Sequence, residues 1–498
     1  MNSRNYINLN KNKIKFAIQL QCFCLIALIL FRFLYEPFTN RAELLIYPFS
    51  CLLCGLTIWY FGSWYFLTKQ LFHPYLLFLL SAFLFNGGQA LLEIFKLNED
   101  SVIGTLVLPP DLPTLTSEDI LHTIFLIIIS LGALQLGGLI SLATYQNQRN
   151  EPAIAETKYL AEDNQCYTIG LRIFYIALLP AILVFRNAIG VVLSSGYQSL
   201  YQQDDATGFS AAPSIVADFI IPASLFILAG SRHRPKGKLI SITVIIIYAI
   251  IKFFTGERNQ AAMPLIALAW LWNRWIYPIP KAFLISVGSF ILFFVFPLVA
   301  VTRNTTGENR LSISFLLEQF ASIDNPVIAA ISEMGTSMIT VAYTLQMVPN
   351  YREFQMGADY FYALFTIIPN IFGKLHPTVV RGTPTHWLTE QINPYIASVG
   401  GSYGFSFIAE AYLNFGWVGG PIAIGIIGFL LLKLIIWVEK SNEPGKMAML
   451  ASFLSFFLFY ARAESTLMVR ALVWYSLIPY LSARLLKKSS TSQIKHDL

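Results

Sequence analysis

The chain has 498 residues, of which 55% are hydrophobic and 12% charged, and its 34 Lys and Arg against 28 Asp and Glu leave a net charge of +6. Apolar runs recur at about 20 residues, the length a helix needs to cross about 30 Å of hydrocarbon, and a water-soluble fold could not hide so much apolar surface. The positive excess reports orientation and attraction to anionic lipid, so a nucleic-acid role has no support.

In chain order the runs predict an all-α integral membrane protein, one polytopic unit over 1–498. About twelve spans centre near Cys24, Leu53, Phe83, Ile129, Leu179, Ile221, Ile246, Ala267, Phe290, Gly425, Phe456 and Tyr475. The first follows Lys11, Lys13 and Lys15, is too long for a signal-peptide core and lacks a cleavage site, so it reads as a retained anchor. Placing both termini inside puts these lysines, Lys69, Arg149, Lys158, the Arg232–Lys238 turn, Arg274, Lys281, Lys440, Lys446, Arg484, Lys487 and Lys488 on the cytoplasmic side. Cys22, Cys24, Cys51 and Cys54 fall inside spans, and Cys166 on the cytoplasmic side. The Cys51-x-x-Cys54 pair lacks His or carboxylate partners and reads as small buried apolar residues.

Between spans, Gln146–Gln165 reads as a solvated linker and 487–498 as a cytoplasmic tail. Outer loops carry Pro109-Pro110 and Pro113, then Tyr197 and Tyr201, whose rings suit either sugar contact or interfacial anchoring. The adjacent Asp204-Asp205 reads as a solvated edge; with no Asp-x-Asp motif outside, no metal and no other cofactor is expected.

One long extracytoplasmic loop, 303–405, breaks the apolar pattern. Phe315, Leu316, Phe320 and Ile323, then Ile328, Ile331, Met338, Ile339 and Leu345, recur at helical spacing and predict two amphipathic helices near the interface, bent at Pro326. Beyond an aromatic stretch lie Lys374, His376, Arg381, His386 and Glu390, with Pro377 and Pro384 stiffening the path of a lid over an outward-facing site.

Lysine prevails on the cytoplasmic face, whereas outer positions are mostly arginine: Arg186, Arg258, Arg303, Arg310, Arg352, Arg381, Arg462 and Arg470. A guanidinium binds phosphate oxygens in pairs and stays charged at a membrane boundary. Several together point to a lipid-linked phosphate or diphosphate, against the alternative that each snorkels or pairs with a carboxylate. Arg258, Arg303, Arg462 and Arg470 sit at outer helix ends, the last two flanking Glu464. A glycine-rich stretch, Gly400-Gly401-Ser402-Tyr403-Gly404, leads into a span whose first turns bury Glu410, as a general base or as the neutraliser of an arginine.

The turn Gly256-Glu257-Arg258-Asn259, the long outer loop and the run Glu410-Ala411-Tyr412-Leu413-Asn414-Phe415-Gly416 resemble the oligosaccharide repeat-unit polymerases, the Wzy-type O-antigen polysaccharide polymerases, from about Tyr197 to Arg470. The paired Arg-x10-Gly motif of some branches is missing: Ser314 and Ile392 stand eleven residues after Arg303 and Arg381. The resemblance implies a GT-C-like, metal-independent glycosyltransferase of the bacterial inner membrane. It would act on undecaprenyl-diphosphate-linked oligosaccharides at the outer face, alongside a chain-length regulator.

The chemistry then needs two kinds of group. The departing diphosphate needs charge stabilisation, assigned to Arg258, Arg303, Arg462 and Arg470. The attacking hydroxyl needs a base, for which Glu410 ranks first, with His386 and Glu464 behind it. Glu257, Asn259, Asn304, Arg381, Tyr403 and Tyr412 complete the candidate substrate contacts. A ligase would use the same donor and a loop histidine such as His386; a flippase would show a two-half repeat that this chain lacks.

Overall fold

In lipid a backbone must satisfy its own hydrogen bonds, which leaves helices as the economical solution for long apolar runs. The computed structural model describes residues 11–34, 42–97, 114–144, 156–202, 212–370, 373–441 and 443–485, and among them every regular element is helical. The first half comprises α1 (Lys11–Leu34), α2 (Ala42–Thr68), α3 (Pro74–Ile94), α4 (Ser117–Ala143), α5 (Glu156–Ser195), α6 (Ala212–Ala217), α7 (Ile220–Ala229), α8 (Pro235–Thr255) and α9 (Arg258–Leu271). There follow α10 (Lys281–Phe290), α11 (Phe296–Thr302), α12 (Ile313–Ala321), α13 (Pro326–Met334), α14 (Ser337–Met347), α15 (Ala358–Ala363), α16 (Pro377–Arg381), α17 (Pro384–Ile392) and α18 (Pro394–Ser398). The chain closes with α19 (Phe407–Ser441), α20 (Pro444–Phe457) and α21 (Ser465–Arg470).

Among the described residues twelve helices are long and apolar enough to cross a membrane, and eleven coincide with expected spans. The twelfth is Pro326–Met347, where a span centred on Ala267 was expected. Contacts at the two ends of the bundle separate these two segments. α9 starts at Arg258, paired with Glu333, and a π-turn (Trp272–Ile276) carries it on to Arg274, 3.3 Å from Glu439, and to Trp275, whose indole donates to the Ala229 carbonyl. It therefore runs the length of the bundle. α13 and α14 stay at the Arg258 end: the Ser332 carbonyl accepts from Gln89 near the end of α3, and the Val348 carbonyl accepts from Tyr412 in the second turn of α19.

Two local expectations are corrected. Two helices do meet at Pro326, but the proline opens the second rather than bending one, capped by the Asn325 side chain after α12 ends at Ala321, since the missing N–H costs nothing at a first position; a further break at Gly335-Thr336 separates α13 from α14. The segment expected as a linker is already helical from Glu156, with Asp163 and Cys166 buried against the α7 end. Arg149, Pro109-Pro110, Pro113, Asp204-Asp205, the 146–155 part of that linker and the 487–498 tail lie outside the described residues.

The core sits on α4, almost wholly buried and packed along α19. Their backbones approach so closely that a Cβ added to Gly137 would fall 1.9 Å from the Gly425 carbonyl oxygen. Apolar side chains gain little from leaving lipid for protein, so close backbone packing through small residues is what holds such helices together. This pair fixes α19, whose first turns carry Glu410 and Asn414 to the Arg258 end.

Candidate functional site

Three turns at that end deliver the site's charges. α8 stops at Gly256, whose φ of 97° suits the left-handed cap, and two residues later Arg258 opens α9. Arg303 caps the end of α11, and Arg462 closes the 3-10 turn after α20. Arg258 turns both terminal nitrogens onto the two carboxylate oxygens of Glu333, and Nη1 also donates to the Phe296 carbonyl at 3.1 Å. Arg303 lies 3.7 Å from the same carboxylate, and its guanidinium rests over Tyr197. Arg462 faces the joint field of Glu333, Arg258 and Arg303. Its turn is set by Asn86, which donates to the Ala461 carbonyl at 3.0 Å and accepts from Ser406 at 2.5 Å.

Two guanidinium groups thus pair with one carboxylate, Arg258 in the fork geometry that also fits a pair of phosphate oxygens, and Arg462 lies near enough to feel their charges. Arg470 stands apart, in the field around Asp218, to which the Tyr475 hydroxyl donates at 3.0 Å. Glu257 also faces away, held by Lys252 at 2.7 Å and Thr255 at 3.0 Å. Asn259 is half-buried beside Arg258, and Asn304 is exposed.

The candidate bases form a second group. Glu410, 1% exposed, accepts from the Ser465 backbone N–H at 2.9 and 3.0 Å, the Ser465 hydroxyl at 2.5 Å and the Tyr460 hydroxyl at 3.2 Å. It therefore caps the first turn of α21 and has no basic side chain within ion-pair distance among the described residues. Glu464 accepts from the Thr385 backbone at 2.9 Å, the Thr385 hydroxyl at 2.8 Å and the Thr466 hydroxyl at 3.1 Å. Burial pushes its carboxyl above the usual range, and these hydrogen bonds pull it back. His386 follows Thr385; its side chain is 64% exposed, with Glu390 at 3.8 Å.

Beside them Arg381 grips Asp359 at 2.9 Å and Gln355 at 2.8 Å, while Asn414 on α19 donates to the other Asp359 oxygen at 3.0 Å. Arg352 reaches Gln355 and lies over Trp387. Arg381 thus joins the loop to the bundle. Tyr412 does not face the mouth: its ring is buried and its hydroxyl is spent on the Val348 carbonyl. Tyr403 is half-buried, within 3.5 Å of the Asn393 amide.

Sequence reading missed Glu333, Asp359 and Asn86. The signal was present for Glu333, a lone carboxylate on an otherwise apolar helix, which is costly without a cation. Among the described residues no group of three His, Cys, Asp or Glu could hold a metal ion.

The family model described as O-antigen polysaccharide polymerase Wzy matches residues 16–493. The chain belongs to that family. Comparisons with curated proteins and with solved structures gave no match. The match extends the resemblance from the Tyr197–Arg470 stretch over α1 to α5 as well, so the apolar first third is part of the same polymerase unit. Membership makes the chain a multi-pass membrane polymerase of O-antigen repeat units.

Asp359 is buried and depends on Arg381 for its charge balance. Arg381→Ala should lower the stability of the detergent-solubilised protein by about 3 kcal/mol, the usual cost of stranding a buried charge, while Arg381→Lys loses less. An unchanged melting temperature in the Ala variant would show that the pair does not hold the loop.

Proposed function

We propose that this Wzy polymerase transfers a growing glycan from undecaprenyl diphosphate to the terminal hydroxyl of another lipid-linked repeat unit, at the outer face of the bacterial inner membrane. The reading rests chiefly on the pairing of Arg258 and Arg303 with Glu333, with Arg462 in the same field, at one end of the bundle. In the reaction the bond between the anomeric carbon and the diphosphate oxygen breaks, and the leaving oxygen keeps the electron pair. A bond forms from the acceptor hydroxyl oxygen, whose proton passes to a base. Guanidinium groups already fixed where the diphosphate charge grows would lower the barrier without a metal. The product is O-antigen, capsule or exopolysaccharide, and a chain-length regulator is the expected protein partner.

Arginine forks should be irreplaceable here. Arg258→Lys and Arg303→Lys keep the charge but lose paired donation, and each should cut polymer formation by about a hundred-fold, the effect of removing one preorganised donor. Polymer at normal levels from normally abundant Lys variants would refute diphosphate binding at these positions.

For the proton, accessibility supports His386 over the two carboxylates. Glu410 and Glu464 are enclosed and committed to hydrogen bonds, whereas the His386 side chain is 64% exposed at the start of α17. We therefore assign the proton to His386. Glu410 and Glu464 then hold α21 and α17 in place. His386→Ala should abolish the polymer ladder at full membrane abundance, while Glu410→Gln should lower abundance and ladder together. A normal ladder from His386→Ala would return the role to the carboxylates. The exposed loop histidine also fits a ligase acting on the same donor, but the family match favours polymerisation.

The orientation follows the positive-inside rule, with both termini and Lys236 in the cytoplasm and the Arg258 end outside. Cysteines introduced at Lys236 and Thr385 in a cysteine-free background should react with an impermeant thiol reagent only at Thr385. Labelling of Lys236 from outside would invert the scheme.

A further inference from the structure

Arg310 is 5% exposed, and its side chain spends its donors wholly on backbone carbonyls. Nε reaches Phe254 at 3.1 Å and Nη2 the same oxygen at 2.5 Å. Nη1 reaches Thr302 at 3.3 Å, Arg303 at 2.7 Å and Thr305 at 2.9 Å. Phe254 belongs to the last turn of α8, and Thr302 and Arg303 end α11. Helix C-termini leave carbonyls without intrahelical partners and carry partial negative charge. A guanidinium between two such ends is therefore balanced by dipoles, and among the described residues no carboxylate pairs with it.

The two ends it joins are the ones that present Arg258 and Arg303. From Phe254 the chain passes through Gly256 to Arg258, and the Arg303 carbonyl that accepts from Arg310 also accepts from the Tyr197 N–H at 3.2 Å. One side chain thus bridges the two segments that carry these arginines. We infer that Arg310 is a positioning residue for polymerisation, holding the α8–α9 turn and the α11 end in register so that Arg258 and Arg303 close on one anionic group. Lysine cannot replace it, because one ammonium cannot span carbonyls on two helices in the planar arrangement of a guanidinium.

The inference rests on the diphosphate reading above, and the experiment separates the two. Arg310→Lys, Arg258→Lys and the double variant are purified and assayed for one elongation step on a synthetic lipid-linked repeat unit, with inorganic pyrophosphate as a competing probe. Arg310→Lys should lower kcat/KM by about ten- to a hundred-fold, as a misplacement on the order of 1 Å does, and weaken pyrophosphate inhibition. The double variant should be no worse than the weaker single one, because both changes disable one unit. Losses that multiply, or a normal kcat/KM in Arg310→Lys, would overturn the inference. A normal Arg258→Lys would instead overturn the diphosphate reading.

Should Arg310→Lys fail to insert, Gly307→Ala carries the test. Gly307 opens the turn that bears Arg310 with a φ of 67°, and an added Cβ there meets nothing within 4 Å, so only the turn is strained. It should show a smaller loss with the same non-additivity against Arg258→Lys, and full additivity would refute the clamp.

Discussion

A cluster of arginines cannot be brought to one end of a membrane bundle unless something answers their charge, and here that is the Glu333 carboxylate. It receives both arms of Arg258, lies 3.7 Å from Arg303 and contributes to the field at Arg462. Through it the start of α9, the end of α11 and α13 are tied at one point. Among the described residues this is the one carboxylate paired with these groups, and on the proposed reading the attraction left over suits a ligand with more than one negative charge. A diphosphate has the charge and paired oxygens to take up what Glu333 leaves over.

The same point explains where α13 and α14 lie. Pro326–Met347 is long and apolar enough to cross a bilayer, yet Glu333, Ser332 and the Val348 carbonyl all find partners at the Arg258 end. α9 is less uniformly apolar, since Arg258 begins it and Arg274 lies just beyond it, but both charges are met at opposite ends of the bundle. Length and hydropathy describe what lipid would accept; the fixed charges decide which segment makes the crossing.

What could be read in advance follows from this distinction. The twelve-span, all-helical architecture was legible because apolar length is a local property of each run. The arginines at Arg258 and Arg303 were legible as helix-end residues for the same reason. Their partners were not. Glu333 is 75 residues from Arg258, and the Glu410 contact with Ser465 spans 55, so no local pattern could join them. Glu410 illustrates the limit: a buried carboxylate near an arginine-rich end reads equally as base or counter-ion, and the donors that decide its surroundings are a serine and a tyrosine. Pro326 misled in the opposite direction, because a proline that interrupts an apolar period looks the same in sequence whether it bends a helix or starts one.

One residue type therefore does several jobs here, and surroundings separate them better than position. Arg310 is surrounded by carbonyls and Arg381 is matched to a buried aspartate, so their charges are fully answered. Among the described residues Arg258 and Arg303 pair with a single carboxylate, with Arg462 in the same field, and their charges are not fully answered. Burial of a fully answered arginine serves the fold, whereas an incompletely answered group raises the free energy of the empty protein and is relieved when an anion arrives. By that criterion the proposed binding site is the region where, among the described residues, acids are too few for the arginines present: the turn between α8 and α9, the end of α11 and the turn after α20.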